Sequence, residues 1–380
     1  MKKNQLVTLG KHIDILSGCA FPSSGFNRNN GVPLIRIRDI LSGKTETYYE
    51  GSYDLKYLIK KGDLLVGMDG DFNREYWKGT DALLNQRVCK ITPNPETLDK
   101  NFLYHFLQKE LDKIHATTDV VTVKHLSVKK IQDIKIRLLS LKEQKRIAAI
   151  LDKADAIRQK REQAIKLADD FLRAKFLEMF GTPANNIHRF PKGTIRDLVD
   201  SVNYGTSAKA SIDSGEYPIL RMGNITYQGR WDFTDLKYLD LSVKEKDKYL
   251  VKEGDLLFNR TNSKELVGKT AVYEEDRPMA FAGYLIRVRP NSIGNNYYIS
   301  GYLNSIHGKI TLMNMCKSIV GMANINAQEL QNIEILIPPK HLQDEYEIIY
   351  KKIKKGLSIY DKSAMQLQLL ASNLSNKYFM

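Results

Sequence analysis

The sequence predicts an α+β protein in which two tandem globules alternate with two long helices, and the helices pair as an antiparallel intramolecular coiled coil with pseudo-two-fold symmetry. Two observations lead to this prediction. One is an internal repeat at offsets of 185 to 199 residues, and the other is a long helical stretch after each copy. The predicted boundaries are 1–140 and 182–338 for the globules, and 141–181 and 339–380 for the helices.

The repeat is visible as short segments that return later in the chain with most of their chemistry unchanged. The pairs are Val32–Ile40 with Tyr217–Ile225, Lys61–Leu65 with Glu253–Leu257, Val88–Ile91 with Leu285–Val288, and Ile131–Ile136 with Leu330–Ile335. Because the offset between the copies only rises along the chain, the sequence predicts one fold used twice, with small loop insertions in the second copy.

Each copy is predicted to be mostly β structure with one helix. Short β-branched or alternating stretches at Val32–Ile37, Asp63–Val66 and Ile131–Leu138 lie between Gly, Pro, Asn and Asp residues, which is typical of strands. Phe102–His115 and Tyr297–Met313 are predicted to be helical. Each globule then has about 140 residues, the size of an ordinary single domain.

The first long helix is predicted to begin at the capping box Ser140–Glu143 and to end at Gly181 and Pro183. The second follows Pro338-Pro339 and continues to Met380. Heptad spacing gives the second helix the seam Tyr346, Tyr350, Ile353, Leu357, Tyr360, Ala364, Leu367, Ala371, Leu374, Tyr378. The first has the looser seam Ile147, Leu151, Ala154, Arg158, Arg161, Ile165, Ala168, Leu172, Lys175, Met179.

These seams predict that the two helices pair with each other. The alternative is that each helix packs on its own globule. Each helix is roughly 55 Å long, which exceeds the width of a globule of this size and favours pairing.

The charge of the chain favours a polyanionic partner, because the net charge is +14 and the pI is about 9.3. No run of eighteen apolar residues predicts a membrane span, and no apolar segment follows Met1 to form a secretory signal. The cysteines Cys19, Cys89 and Cys316 lie far apart in sequence. We therefore expect a cytoplasmic protein that binds nucleic acid and does not associate with membranes.

Motifs of catalytic sites are absent from the sequence. It contains no G-x-G-x-x-G fingerprint, and its one Pro-Pro pair lacks the context of an amino-methyltransferase motif. Ser263–Thr270 approaches a phosphate-binding loop, but serine stands at Ser263 where that loop needs glycine. The seven histidines are scattered singly, with no metal-ligand spacing. The sequence therefore favours a binding protein over an enzyme and predicts neither a catalytic residue nor a metal site.

Several segments resemble specificity subunits of type I restriction–modification systems. Phe176–Pro183 is similar to the end of that family's first conserved helix, although the family often has Asp where this chain has Thr182. Gly67–Asn73, followed by Ala82–Cys89, resembles target-recognition-domain sequence, as does Gly254–Asn262 with Val267–Lys269. The order of recognition domain, helix, recognition domain and helix matches over essentially the whole chain.

The resemblance implies a non-catalytic subunit that reads a bipartite, asymmetric site in double-stranded DNA. It also implies methyltransferase subunits, two per chain, which transfer a methyl group from S-adenosylmethionine to adenine N6, and ATP-driven restriction subunits. S-adenosylmethionine, ATP and Mg are then expected in the partner subunits, and no cofactor in this chain. Two alternatives remain open, namely an adaptor that binds protein and a nuclease with an unrecognised site.

Candidate DNA-contacting residues are Arg, Lys, Asn and Gln side chains in loops near strand ends, because these side chains pair with base edges or phosphates. They are Arg36, Arg38, Asn73, Arg74, Asn85, Gln86, Arg87, Arg221, Asn224, Asn259, Arg260, Asn262 and Lys269. The arginines shared by both copies, Arg36 and Arg221, favour phosphate contact. Positions that differ between the copies, such as Arg38 and Gly223, or Asp39 and Asn224, are the better candidates for reading bases.

The long helices are expected to act as a spacer that separates the two half-sites by about one turn of DNA. Their outer faces are expected to dock the methyltransferase subunits.

Overall fold

The computed structural model describes residues 5–118, 124–316 and 322–379. The chain divides into two compact units: unit 1 comprises Met1–Lys160 and Lys362–Met380, and unit 2 comprises Arg161–Asp361. Both units combine sheets with helices, which confirms the predicted α+β class.

Unit 1 begins with the strands β1 (Gln5–Thr8), β2 (Ile13–Ser17), β3 (Phe26–Asn27), β4 (Val32–Ile35), β5 (Tyr48–Tyr49), β6 (Leu58–Ile59), β7 (Leu64–Gly67), β8 (Arg74–Tyr76), β9 (Ala82–Leu84) and β10 (Val88–Pro93). It continues with α1 (Lys100–Ala116), α2 (Val128–Gln132), β11 (Lys135–Leu138) and the first part of α3 (Leu141–Phe180). One sheet has the order β2-β10-β7-β8 and another the order β3-β5-β4-β9-β6, while β1 pairs with β11. The largest apolar cluster packs α1 against the first of these sheets.

Unit 2 continues from α3 with β12 (Lys192–Thr194), β13 (Val199–Tyr204), β14 (Tyr217–Leu220), β15 (Lys237–Leu239), α4 (Val243–Tyr249), β16 (Leu250–Val251), β17 (Leu256–Asn259), β18 (Thr261–Asn262), β19 (Thr270–Val272), β20 (Met279–Phe281) and β21 (Leu285–Pro290). Next come α5 (Asn296–Asn304), α6 (Ile306–Met315), β22 (Ala323–Asn324), α7 (Ala327–Gln331), β23 (Glu334–Leu336) and α8 (Lys340–Phe379), whose last part belongs to unit 1. The sheet β13-β21-β17-β19 repeats β2-β10-β7-β8 of unit 1, and β15-β14-β20-β16 repeats β5-β4-β9-β6 without an equivalent of β3.

Equivalent hydrogen bonds show that the two units share one fold. In unit 1 the N–H of Cys19 donates to the carbonyl oxygen of Leu84 at 2.9 Å, and in unit 2 the N–H of Thr206 donates to that of Phe281 at 2.9 Å. Each bond joins a loop to the end of a central strand. The same turn of chain is therefore built twice from different side chains, as the rising repeat offset predicts.

A buried glutamine fixes the beginning of each long helix. The Gln144 amide donates to the carbonyl oxygens of Thr97 and Leu139, both at 2.9 Å. Gln343, 199 residues later, donates to the carbonyl oxygens of Ile293 and Pro338 at 3.0 and 2.8 Å. Both side chains are 0% exposed. Because buried backbone carbonyls need partners, each glutamine ties its helix to the globule that precedes it.

Aromatic contacts show that α3 and α8 run antiparallel within each unit. In unit 1 the Phe379 ring lies 5.3 Å from the Phe102 ring and shares an apolar cluster with Ile147, near the beginning of α3. In unit 2 the Phe180 ring, at the end of α3, lies 5.9 Å from the Tyr346 ring near the beginning of α8. The end of one helix thus packs with the beginning of the other in both units, as predicted.

All described side chains on the predicted seams except Arg158 are buried or half-buried, which agrees with the prediction. Buried seam residues are Ile147, Leu151, Leu172, Tyr346 and Leu357. Arg158 is exposed and pairs with Asp155, so it interrupts the first seam. Tyr360, Ala364 and Tyr378 lie outside the residues whose side chains are described.

Two predicted elements are corrected by the structure. Ile131–Leu138 is not one strand, because Val128–Gln132 forms α2, capped by the Ser127 hydroxyl, and the strand begins at Lys135. The helix predicted at Tyr297–Met313 is two helices separated at Ser305. The Ser305 hydroxyl caps the second one by accepting from the N–H of Gly308 at 3.0 Å.

The described ranges contain neither a membrane-spanning helix nor a cluster of metal ligands. No helix in them has the length and apolar character that crossing a bilayer requires. No group of three or more His, Cys, Asp and Glu side chains in them is arranged to hold a metal ion.

Candidate nucleic-acid interface

An open groove in unit 1 brings together five of the predicted DNA-contacting residues. Its volume is about 480 Å³. It is lined by Phe21, Ser23, Phe26, Arg36, Ile37, Arg38, Asn85, Gln86 and Arg87. The groove offers cations and amides beside aromatic rings, which are groups that contact phosphates, base edges and thymine methyls.

Parallel strand pairing creates this groove. Strands β4 and β9 pair in parallel, with Leu34 opposite Leu83, so both strands end at the same edge of the sheet. The segments Arg36–Arg38 and Asn85–Arg87 follow these strand ends and therefore lie side by side. Gly18 allows this close packing, because an added Cβ there would lie 2.0 Å from the carbonyl oxygen of Asn85.

The arginines of the groove differ in how firmly they are held. The Arg36 guanidinium lies 5.4 Å from the centre of the Phe26 ring, and the side chain is half-buried. The Arg38 side chain is 66% exposed and its nearest carboxylate oxygen, on Asp39, is 3.6 Å away. Such an exposed pair contributes little to stability, so the Arg38 guanidinium can exchange Asp39 for a nucleic-acid partner at little cost.

An ion-pair cluster supports the far end of the groove. The Asp69 carboxylate lies 3.3 Å from the Arg87 guanidinium and 2.6 Å from His125 Nδ1. The Arg87 side chain remains 54% exposed, so its donors are available to a ligand. Asp69 and His125 were not predicted from the sequence, because the two residues are 56 positions apart and belong to no motif.

Two predicted residues of unit 1 lie away from the groove. The Arg74 guanidinium stacks 3.4 Å from the centre of the Tyr104 ring. Burial raises the pKa of Tyr104, which keeps this phenol neutral. The carbonyl oxygen of Asn73 accepts from the N–H of Gly67 at 2.8 Å. Both residues are half-buried at the beginning of β8, where packing of the sheet accounts for their contacts.

The equivalent edge of unit 2 has the same backbone but different side chains. Strands β14 and β20 pair in parallel, with Ile219 opposite Ala280. The residues that follow are Arg221-Met222-Gly223 and Ala282-Gly283-Tyr284, where unit 1 has Arg-Ile-Arg and Asn-Gln-Arg. Arg221 donates to the Asp235 carboxylate at 2.8 Å. Unit 2 therefore lacks the two exposed arginines and the two amides that this edge carries in unit 1.

A longer loop occupies this edge in unit 2. Six residues connect β7 to β8, whereas ten connect β17 to β19. The Arg260 guanidinium lies 4.9 Å from the centre of the Tyr204 ring and donates to the carbonyl oxygen of Gly283 at 3.4 Å. Asn262 is half-buried, and its side-chain oxygen accepts from the N–H of Ser263. The loop thus brings Arg260 next to Gly283, the residue at the position of Gln86 in unit 1.

Comparison with known proteins identifies the family. The family model described as "Type I restriction modification DNA specificity domain" matches residues 1–167 and 190–371. The chain belongs to this family. The specificity subunit of the type I restriction enzyme EcoBI from Escherichia coli is 29% identical, over 97% of this chain and 82% of that protein. That of EcoKI from Escherichia coli strain K12 is 22% identical, over 92% and 80%.

A solved structure agrees with this family at the level of the fold. It is the S subunit of a type I restriction–modification system from M. genitalium, with a TM-score of 0.67. The match covers 100% of this chain and 97% of that one at 14% sequence identity. Membership in the specificity family and the double fold are therefore consistent with each other.

The surroundings of Asn224, a candidate base reader, weigh against that role. Asn224 is 2% exposed, and its amide donates to the carbonyl oxygens of Asp232 and Asp235, both at 2.9 Å. Its oxygen accepts from the N–H of Arg221 at 2.8 Å. Asp39, the equivalent residue of unit 1, caps the same turn. The difference between Asp39 and Asn224 therefore lies in a turn cap and not on the exposed edge.

Two further candidates of unit 2 are buried. Asn259 is 0% exposed, and its amide atoms have no hydrogen-bond partner among the described residues. Lys269 is 7% exposed, and burial lowers the pKa of its ammonium group. Direct base contact by either side chain requires the loop to move, so their burial weighs against that role. Arg260 and Asn262 stay the accessible candidates of this loop.

Aromatic residues at the two edges were missed from the sequence. Phe26 supports Arg36 in unit 1, and Tyr204 supports Arg260 in unit 2. Tyr284 is 54% exposed at the position that Arg87 occupies in unit 1. These aromatics stand in loops without a motif, so only the three-dimensional pairing of the strands reveals their place.

Proposed function

We propose that this chain reads two different short DNA sequences, one with each unit, and directs a separate adenine-N6 methyltransferase to the split site. The observation that carries the proposal is the pair of equivalent edges with different side chains. Unit 1 presents Arg38 and Asn85–Arg87, whereas unit 2 presents Arg260 and Tyr284 on the same backbone framework. Different donors and acceptors on one framework select different bases, so the recognised site is asymmetric.

Recognition divides into positioning and reading. Half-buried arginines such as Arg36 and Arg221 are held by neighbouring groups and suit phosphate contacts, which fix the register of the duplex. Exposed Arg38, Gln86 and Arg87 have free donors and acceptors that suit the major groove. Arginine pairs with guanine and glutamine or asparagine with adenine. The net charge of +14 supports binding to the phosphate backbone.

The long helices are proposed as the spacer and the docking element. Helices α3 and α8 have 40 residues each, which corresponds to about 60 Å of helix. Their length then sets the gap between the two half-sites. We propose that two methyltransferase subunits bind along them and that restriction subunits join the assembly. Catalysis, together with S-adenosylmethionine, ATP and Mg, is assigned to these partners.

Methylation mapping tests the proposal. A candidate methyltransferase partner is produced in a methylation-free bacterial host with and without the chain, and the genome is sequenced for modified adenine. We expect a split motif of two unlike blocks that appears only when the chain is present. If a folded methyltransferase bound to this chain adds no methylation, the proposed role is refuted. Cleavage of DNA by the purified chain with a divalent metal would favour a nuclease instead.

A further inference from the structure

Unit 2 contains a mostly apolar pocket, here called the Lys309 pocket, beside the loop between β17 and β19. Its volume is about 460 Å³. The lining includes Arg173 of α3, Tyr227, Leu266 of the loop, and Ile306, Lys309 and Met313 of α6. Its size is in the range of small-molecule sites.

The ammonium group of Lys309 is buried without a polar partner. The Nζ atom has no hydrogen bond in the described part of the chain. It lies 4.9 Å from the centre of the Tyr227 ring, whose π electrons compensate part of the lost hydration. A buried ammonium group without a carboxylate or phosphate partner is costly, and such groups in proteins are usually paired.

Two more cations increase this cost. Burial, together with the positive charges of Arg173 and Lys269, lowers the pKa of Lys309 to about 8. Lys269 is itself buried, and no carboxylate pairs with it among the described residues. Glu265 also lines the pocket, but its carboxylate is exposed and held by Ser263 and Lys264. Arg173 is partly exposed and lies 3.5 Å from the Asp170 carboxylate, so the uncompensated buried charge in the pocket is that of Lys309.

Exposed apolar side chains also line the pocket, and three of them, Ile306, Ile310 and Met313, belong to the same helix as Lys309. Leu266 is 39% exposed, Ile306 69%, Ile310 47% and Met313 42%. An apolar surface beside a cationic floor matches a ligand that joins a phosphate group to a flat base. A nucleotide has this chemistry.

We propose that the Lys309 pocket binds a nucleotide, with the Lys309 ammonium and the Arg173 guanidinium paired to the phosphate and the base on the apolar side chains of α6. The inference does not depend on the proposed reading of DNA half-sites. The nucleotide has two possible sources, namely a free nucleotide or a strand of bound DNA, and the experiment separates them.

The test is thermal unfolding of the full chain with AMP, with inorganic phosphate, or with a short DNA duplex, at equal ionic strength. The variants are Lys309→Met, Arg173→Gln and, as a matched control on the surface of the same unit, Lys244→Met. We expect AMP to raise the Tm of the wild type and of Lys244→Met by about 2–4 °C, and phosphate to raise it by less. Lys309→Met should unfold at a higher temperature than the wild type without ligand and should not respond to AMP.

The outcomes are distinguishable. Equal responses to AMP in the wild type and Lys309→Met, or no response in either, would overturn the proposal. If Lys309→Met does not fold, Arg173→Gln decides, since it should weaken the response to AMP. A Lys309-dependent response to the duplex with none to AMP would assign the phosphate to DNA and refute the free nucleotide.

Discussion

Exchanging the turn residues of unit 1 for those of unit 2 tests whether this edge reads bases. The triple variant Asn85→Ala, Gln86→Gly, Arg87→Tyr gives unit 1 the residues that unit 2 has at the equivalent turn. The turn should keep its shape, because the N–H of Val88 donates to the carbonyl oxygen of Asn85 at 2.9 Å and the N–H of Leu285 to that of Ala282 at 2.8 Å. The variant therefore changes the chemistry of the edge and leaves its backbone intact.

The expected effect follows from the exposed donors and acceptors that are removed. The Arg87 side chain is 54% exposed, and its pair with Asp69 is partly exposed, so losing that pair costs little stability. A bidentate base contact is worth about 1–3 kcal/mol of discrimination, which is about 5- to 150-fold. We expect the preference for the original first block of the methylated motif to fall by at least this factor. The preference for the second block should stay unchanged.

The assay is methylation mapping of the variant beside the wild type, with the partner methyltransferase held at the same level. Thermal unfolding checks that the variant is folded. Lys90→Ala serves as a control for general loss of charge, since Lys90 is on β10 outside the groove. If both blocks of the motif persist unchanged in the triple variant, the turn does not read bases and the reasoning is wrong.

Three further predictions concern stability, salt and local mobility. Gln144→Ala removes hydrogen bonds to Thr97, Leu139 and Asp99 and should lower the free energy of unfolding by about 3 kcal/mol in urea titrations, against less than about 0.5 for exposed Gln159→Ala. Arg36→Ala should reduce the slope of log affinity against log salt by about one and leave the motif unchanged, as filter binding over a salt series can show. Asp169→Asn breaks the 2.5 Å pair with Arg230, so amide hydrogen exchange should accelerate around Arg230; unchanged exchange would contradict the structural role of that pair.

Local sequence signals were sufficient to predict the two long helices and the internal repeat. The capping box at Ser140 and the stop at Gly181 bracket the observed helix Leu141–Phe180, because caps act through neighbouring residues. The break at Ser305 was missed, although serine is a common N-cap, because apolar residues continue on both sides of it. The sequence alone therefore does not show whether Ser305 lies inside one helix or begins a second one.

The candidate site was predictable in its residue types but not in its arrangement. Arg36 and Arg87 are 51 positions apart, and they meet only because β4 and β9 pair in parallel. For Asn224 the residue type itself is ambiguous, since asparagine is suited both to reading adenine and to capping a turn. Burial separates these roles, and burial depends on contacts far along the chain.

The division between framework and edge supports the proposal that one fold, used twice, reads two different sequences. Gln144 and Gln343 make equivalent bonds, and so do the backbone groups that join each loop to its central strand. These contacts are buried, so changing them costs stability. The residues at 85–87 and 282–284 are linked to the framework through their backbone, so their side chains can change with little effect on folding. The side chains proposed to read DNA can therefore differ between the units while the fold of each unit stays the same.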